Sequence, residues 1–445
     1  MSKELTSDIE KIELELENET PKKDRKGGVL GKVIGGILVV ALVVIVAVVI
    51  RYWSSINNFL NKVTENKPEV KQYSVLVLND SDVSEVKGLD GKSVGFLKID
   101  EKAGNAEQHL KNLAKIESFF YDDIDTLMGV LNNKISTSVV LETDRLNMLN
   151  EEAKDLVKDT KVIYTFNIEL AAENAEISDK KVTEEPFAFL ISGTDSRAGV
   201  HATARSDVNI VVVVNPKQGK ILLVSIPRDT YVQLHGTIGI KDKLTHAGVY
   251  GIDMSRTTIE DFLGVSIDYT VKVSFDTVVK VVDQINGITI DSDTEMTLGV
   301  EGKDKKCSYK VGKQEVDGDC ALRYARERKS YTTGDRHRGE NQMQVITAII
   351  EKMTTSRNYI INIPTILDIA ADSFETSFTR DDITSFIQMQ LGNGINWKVE
   401  SVSIDGAGSM QGTYSMGASR PLYVMLAYPE SVANATAKIN EYLEK

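Results

Sequence analysis

From Val33 to Ile50 the chain carries no charge and consists almost wholly of Val, Ile, Leu and Ala. Counted from Val29, about 22 helical residues rise roughly 33 Å, enough to cross a hydrocarbon core of about 30 Å. The flanks argue against a buried helix of a globular core. Lys22, Lys23, Arg25, Lys26 and Lys32 precede the run, and Arg51, Tyr52 and Trp53 follow it. Excess Lys and Arg on the amino side orient that end toward the cytoplasm. The run is too long for a cleaved signal peptide and lacks a small-residue cleavage site. The expected layout is a cytoplasmic tail over 1–28, a transmembrane helix over 29–53 and a linker over 54–72. The rest of the chain then folds outside the cytoplasm, at the cell membrane.

A chain of 445 residues suggests two or three domains, and 42% hydrophobic with 26% charged residues is the composition of an ordinary folded protein. A formal net charge of −13 excludes a general nucleic-acid binder, which needs a broad basic surface. The two cysteines, Cys307 and Cys320, both lie beyond the apolar run. A small disulfide loop and a pair of buried thiols are both open there. Neither cysteine has a zinc-type partner pattern.

Hydrophobic periodicity places a small α/β region at 73–181. Its expected strands are Tyr73–Leu78, a turn-then-strand at 89–96, Ser138–Glu142 and Lys161–Glu169; its expected helices are Ala106–Phe120 and Ile124–Leu131. This region shows no catalytic constellation and is read as an accessory domain. After a boundary at Val182–Pro186 come apolar strands at Phe187–Ser192, Val208–Val214 and Ile221–Ile226, typical of a buried sheet. Helical spacing at Asp253–Leu263, Phe275–Asn286 and Asn341–Met353, with a strand at Tyr269–Val273, implies a layered α/β/α domain over 185–357. Residues 358–445 read as an extension packed on it, with helices at Thr379–Leu391 and Ser431–Leu443.

The chemistry concentrates between Arg323 and Gln342, where Arg323, Arg326, Arg328, Arg336 and Arg338 crowd into one segment of an acidic protein. Arginine is suited to phosphate because its planar fork donates paired hydrogen bonds and stays charged. Three loops at strand ends add polar residues: Gly193-Thr194-Asp195-Ser196-Arg197, Arg205-Ser206-Asp207 and Pro227-Arg228-Asp229. Ligands of open α/β sheets gather at such ends. Asp195 and Asp207, beside Arg205 and Arg228, form a set able to hold Mg²⁺ (or Mn²⁺) together with a diphosphate. Asp229 and Asp335 are the candidate proton acceptors, and Asp335 equally suits the task of orienting Arg338.

The ordered motifs "ISGTDSR", "ARSDVNIVVVV", "LVSIPRDTYV", "KDKLTHAGVYGID", "INGITI", "ALRYARER" and "GDRHRGENQ" resemble the LytR-CpsA-Psr family of wall-polymer ligases, in particular its capsule-type members. The likeness is dense over 185–357 and looser to Tyr414–Met425. It implies a three-layer α/β/α domain with a central mixed sheet, preceded by a small α/β accessory domain and one transmembrane helix. By that resemblance the chain is a Mg-dependent phosphotransferase, moving a capsular or teichoic-type glycopolymer from a polyprenyl-pyrophosphate carrier to peptidoglycan. The resemblance thus implies a lipid tail, for which Val211, Val213, Val224, Phe275, Val278 and Val282 could line an apolar slot, although ordinary core explains each as well. Asp195 and Asp207 match the metal positions. Arg205, Arg228, Lys243, Arg326, Arg328, Arg338 and Gln342 match those that contact pyrophosphate. Glu340 and Met343 depart from the family pattern and lower the positive charge at the expected rim. Two alternatives share the site or the history of the family: a polyprenyl-pyrophosphate hydrolase or carrier-binding protein, and a membrane-bound transcriptional regulator.

Overall fold

Two α/β sheets, each with helices on its faces, account for the part of the chain that positions the arginines. The computed structural model describes residue 61 and residues 70–100, 102–169, 178–194, 200–332, 334–355 and 373–444. The expected tail, membrane helix and most of the linker lie outside the described residues, and so does Asp195. Among the described residues no helix is long and apolar enough to cross a membrane.

The first sheet contains β1 (Val70–Leu78), β2 (Ser93–Leu97), β3 (Glu117–Tyr121), β4 (Ser138–Glu142) and β5 (Thr160–Glu169), ordered β3-β2-β4-β1-β5. Helices α1 (Ala103–Lys111) and α2 (Ile124–Asn132) cover its two faces. The helix expected over Ala106–Phe120 ends at Lys111, and Glu117–Tyr121 pairs in parallel with β2 instead. Adjacent Phe119 and Phe120 favour the pleated edge, so tertiary pairing overrides the helical spacing. Helix α3 (Thr143–Glu152), which the periodicity did not reveal, follows β4 directly.

The central sheet uses β6 (Phe187–Thr194), β7 (Val208–Asn215), β8 (Lys220–Ser225), β9 (Tyr269–Ser274), β14 (Phe374–Thr376) and β15 (Lys398–Ser403), in the order β14-β9-β6-β7-β8-β15. Pairings β6–β9 and β8–β15 are parallel and the others antiparallel, so the sheet is mixed. Alternation sorts its strands into two cores. Ala188, Leu190, Val211, Val213, Leu222 and Val224 pack toward α4 (Ile252–Leu263) and α9 (Pro429–Leu443). Phe187, Ile210, Val212 and Leu223 pack toward α7 (Asp335–Thr355) and α8 (Arg380–Asn393). That is the three-layer arrangement. It includes two strands from beyond residue 357, so the expected extension is in part the sheet itself. Val211, Val213 and Val224 are fully buried core, with no room for a lipid slot between them.

After β9, α5 (Phe275–Gln284) leads to two small antiparallel pairings: β10 (Ile288–Ser292) with β13 (Gly312–Val316), enclosing in sequence the hairpin of β11 (Met296–Gly299) with β12 (Lys306–Tyr309). Helix α6 (Gly318–Ala325) follows, and a disulfide joins Cys307 of β12 to Cys320 of α6, resolving the choice that the spacing left open. Val282 belongs to the core of this subregion, and Val278 packs against it. Strands β16 (Gly406–Thr413) and β17 (Gly417–Ala427) form a further hairpin.

The two sheets are not separate bodies. Leu146, Leu149 and Leu156 share one core with Val249, Met416 and Leu422. Arg145 is 1% exposed and donates to the Ser415 carbonyl at 3.1 Å. Arg420 of β17 reaches across to Asp125 and to Asp155.

Candidate active site

Because β6 and β7 are antiparallel, as are β7 and β8, the end of β6, the start of β7 and the end of β8 meet at one sheet edge. Strand β9, parallel to β6, ends there too. A cavity of about 880 Å³ opens at this edge. Arg205 and Asp207 enter it from just ahead of β7, and Arg228 from just after β8. Arg326 and Arg328 follow α6, while Arg338 and Gln342 come from the first turns of α7. Thr194, the neighbour of Asp195, also lines the wall. Close packing makes this possible: a Cβ on Gly339 would stand 2.6 Å from Ser225 Oγ, so only glycine lets α7 lie so near β8.

The arginines are held by carboxylates. Arg228 Nη1 donates to Asp207 Oδ1 at 2.7 Å, and Thr245 Oγ1 donates to the same oxygen at 3.3 Å. Burial pushes the Asp207 carboxyl up, but Arg228 and Arg205 outweigh it and hold the group below its ordinary value. Asp335 Oδ1 lies 2.7 Å from Arg338 Nη2; burial raises its carboxyl, and Arg338 only partly offsets that. The Arg326 guanidinium sits 4.7 Å from the centroid of Phe275, which lines the cavity and is the one residue of the expected apolar slot to do so. Arg323 and Arg336 point elsewhere, pairing with Glu327 and Asp405. Glu340 lies 3.4 Å from His337, and Met343 is buried in the core under α7, so neither shapes the cavity rim.

Three expected site residues stand behind the arginines rather than in the cavity. Lys243 is 5% exposed, its Nζ 2.6 Å from Glu152 Oε1 and 3.3 Å from Asp229 Oδ1. Asp229 and Asp335 line a separate pocket of about 200 Å³, together with Asp405 and Arg336. Asp229 lies 3.9 Å from Arg228 Nε, so both aspartates touch the reverse side of cavity arginines. Their expected duty as proton acceptors is not offered from inside the cavity, because Arg228 and Arg338 intervene.

The opposite wall went unread in the sequence. Helix α3 lines the cavity through Thr143, Asp144, Asn147, Asn150 and Glu151. Their spacing puts them on one helical face, a signal that was available once the helix itself was recognised. Glu151 accepts from both Arg205 terminal nitrogens, at 2.7 and 3.0 Å, and Asp144 Oδ2 accepts from the Arg205 backbone N–H at 2.8 Å. Glu152 closes the back: its Oε2 lies 3.6 Å from Nε2 of the fully buried His246, whose Nδ1 is 2.6 Å from Asp242. Burial pushes Glu152 up, yet His246 and Lys243 bring its pKa down to about 2.

Among the described residues, no group of three or more His, Cys, Asp or Glu is placed to hold a metal ion. Asp207 still fits as a ligand: it is ionised, it lines the cavity, and its Oδ2 makes no hydrogen bond among the described residues.

The profile of the LytR_cpsA_psr family matches residues 139–428. The chain is 31% identical over 265 residues to the polyisoprenyl-teichoic acid–peptidoglycan teichoic acid transferase TagU of Halalkalibacterium halodurans, covering 59% of this chain and 80% of that protein. It is 34% identical over 236 residues to TagV of Bacillus subtilis, a transferase of the same name, covering 52% of this chain and 59% of the relative. The crystal structure of B. subtilis TagV superposes with a TM-score of 0.50 at 30% identity, spanning 58% of this chain and 98% of TagV. A Streptococcus agalactiae protein shares the fold with a TM-score of 0.51 at 23% identity, covering 60% of this chain and 92% of its own.

Proposed function

Since the chain belongs to the LytR_cpsA_psr family, we propose that it transfers a glycopolymer from a polyprenyl diphosphate to peptidoglycan, anchored to the membrane by residues 29–53 with its cavity outside. The relatives named above act on teichoic acid, and a teichoic-type wall glycan is the polymer favoured here over a capsular one. One observation carries the reading: Arg205, Arg228, Arg326, Arg328 and Arg338 meet Asp207 in a single cavity of an otherwise acidic protein.

Transfer needs a hydroxyl oxygen of the acceptor to attack the sugar-bearing phosphorus. The bond from that phosphorus to the bridging oxygen breaks, the lipid monophosphate departs with that oxygen, and the hydroxyl proton passes to the departing phosphate. Negative charge on the diphosphate oxygens must be met throughout, and fixed guanidinium groups do this without reorganising. Arg228 and Arg338, oriented from behind by Asp229 and Asp335, hold those oxygens. Arg326, braced over Phe275, and Arg328 close on them from the α6 side. Asp207, with Asp195 as the expected second ligand, would hold Mg²⁺, which supplies further charge neutralisation when bound.

Arg326→Ala in the full chain should reduce transfer from a prenyl-diphosphate glycan to peptidoglycan by about 10²-fold or more, as loss of a preorganised charge stabiliser does. Arg326→Lys should also be impaired, because lysine cannot supply the planar fork. Turnover equal to the native protein in both variants would remove Arg326 from the site. Release of the lipid phosphate without acceptor, at the same rate as with it, would favour the hydrolase reading.

A further inference from the structure

The first sheet ends on one side in β3, and among the described residues no strand pairs with the outer side of β3. Glu117 N–H donates to the Lys92 carbonyl at 2.9 Å, and the Tyr121 carbonyl accepts from Lys98 N–H at 2.8 Å. Backbone groups alternate in direction along a strand. Glu117, Phe119 and Tyr121 therefore bond to β2, while Ser118 and Phe120 turn their N–H and C=O outward. Among the described residues no backbone hydrogen bond reaches those outward groups. Phe119 and Phe120 are 47% and 45% exposed, and Phe120 stacks on Phe96 at 5.4 Å.

Sheet edges are ordinarily guarded by bulges, prolines or charges. The opposite edge, β5, has such a guard: its pairing with β1 slips between Val75 and Leu76, which leaves Ile163 as an extra residue. β3 pairs with β2 in unbroken register and contains neither proline nor lysine. A regular aromatic edge with free backbone groups is a template for another strand.

The chain around β3 is complementary to itself. Lys115 continues the path ahead of the strand, its carbonyl accepting from Gly91 N–H at 2.7 Å, and Asp123 is still extended beyond it (φ −139°, ψ 163°). Both charged residues are exposed. A two-fold axis at Phe119 sets Ser118 of one copy opposite Phe120 of the other, so that they exchange their free backbone groups. The same axis sets Lys115 opposite Asp123 at both ends. Centring on Phe120 would oppose Glu117 to Asp123, two like charges, and centring on Ser118 would oppose Lys115 to Tyr121. Within 115–123 only the first register joins opposite charges, and it also brings the two Phe119 rings side by side. We propose that two copies of this chain associate through antiparallel β3 strands centred on Phe119, joining their first sheets into one. β3 stands three strands from β1, whose Gln72 lines the arginine cavity, about 14 Å at about 4.8 Å per strand. Both cavities stay open, whatever they bind. So short an interface associates weakly in solution, and anchoring both copies in one membrane raises their effective concentration.

The test is sedimentation velocity of the full chain in detergent, at about 0.15 M salt to screen the repulsion between acidic copies, together with crosslinking. The native protein should pass from monomer to dimer as its concentration rises through the micromolar range. Phe119→Lys, which sets two like charges face to face, should stay monomeric throughout. Its calorimetric titration with farnesyl diphosphate should match the native trace. Phe119→Cys decides the matter if the lysine variant fails to fold. Positions facing each other across the axis lie about 4.5 Å apart between Cα atoms, within reach of a disulfide. Mild oxidant should therefore link Phe119→Cys about tenfold faster than Glu117→Cys, whose counterpart is Tyr121. Mixing Glu117→Cys with Tyr121→Cys should restore the fast linkage. A native chain that is monomeric at every concentration, a dimer that survives Phe119→Lys, or equal linkage of Phe119→Cys and Glu117→Cys overturns the proposal.

Discussion

Replacing Glu152 by glutamine isolates the charge that ties the first sheet to the back of the arginine site. Glu152 Oε1 is 2.6 Å from the Lys243 ammonium, Oε2 is 3.6 Å from His246, and the Glu152 side chain is only 14% exposed. Its pKa falls from the ordinary 4.5 to about 2. At about 1.36 kcal/mol per pH unit, that difference corresponds to about 3 kcal/mol of folding free energy. The sign follows from the direction of the shift. A depressed carboxyl binds fewer protons when folded, so its contribution is complete above about pH 4.5 and is lost as pH falls toward 2. Glutamine has no such titration, and it also leaves Lys243 and His246 buried with one fewer counter-charge, a change that costs several kcal/mol in comparable settings. Urea denaturation of both proteins should therefore show the variant less stable by about 3 kcal/mol at pH 7, with about 2 kcal/mol of the gap gone at pH 3. A gap of the same size at both pH values would refute the electrostatic account and leave packing as the cause.

Glu151→Gln releases Arg205 from a bidentate pair whose carboxylate is half-exposed, so the effect should be small: farnesyl diphosphate affinity two- to fivefold tighter, since exposed pairs hold at most about 1 kcal/mol. Weaker binding in that titration would mean Arg205 needs Glu151 to keep its geometry. Reducing the Cys307–Cys320 bond, which spans a separation of 13 residues, should lower stability by about 3 kcal/mol through the freedom returned to the unfolded chain. Urea midpoints with and without reductant measure this, and a change under about 1 kcal/mol would contradict it.

Apolar strands at 187–192, 208–214 and 221–226 were legible because a sheet buried on both faces admits few polar residues; the first two fall within observed strands, and the third overruns its strand, which ends at Ser225, by one residue. The stretch 106–120 misled because its apolar spacing satisfies a helix in isolation, while pairing with β2 is a fact about a distant strand. Lys243 shows the same limit at the site. Its motif marks it as a family position, but only the fold shows that Glu152 and Asp229 hold it behind the arginines.

Residue type and order alone determined that this chain gathers arginines and aspartates at strand ends, because local chemistry selects guanidinium for phosphate and alternation selects the buried sheet. The three-dimensional fold decided which of those groups share a cavity. Arg326, Arg328 and Arg338 turn inward while Arg323 and Arg336 are taken up by Glu327 and Asp405. It also decided that a helix from the first sheet, some sixty residues earlier than Arg205, supplies the facing wall. A side chain's direction depends on which neighbour neutralises it, and that neighbour is chosen by packing between segments far apart in the chain.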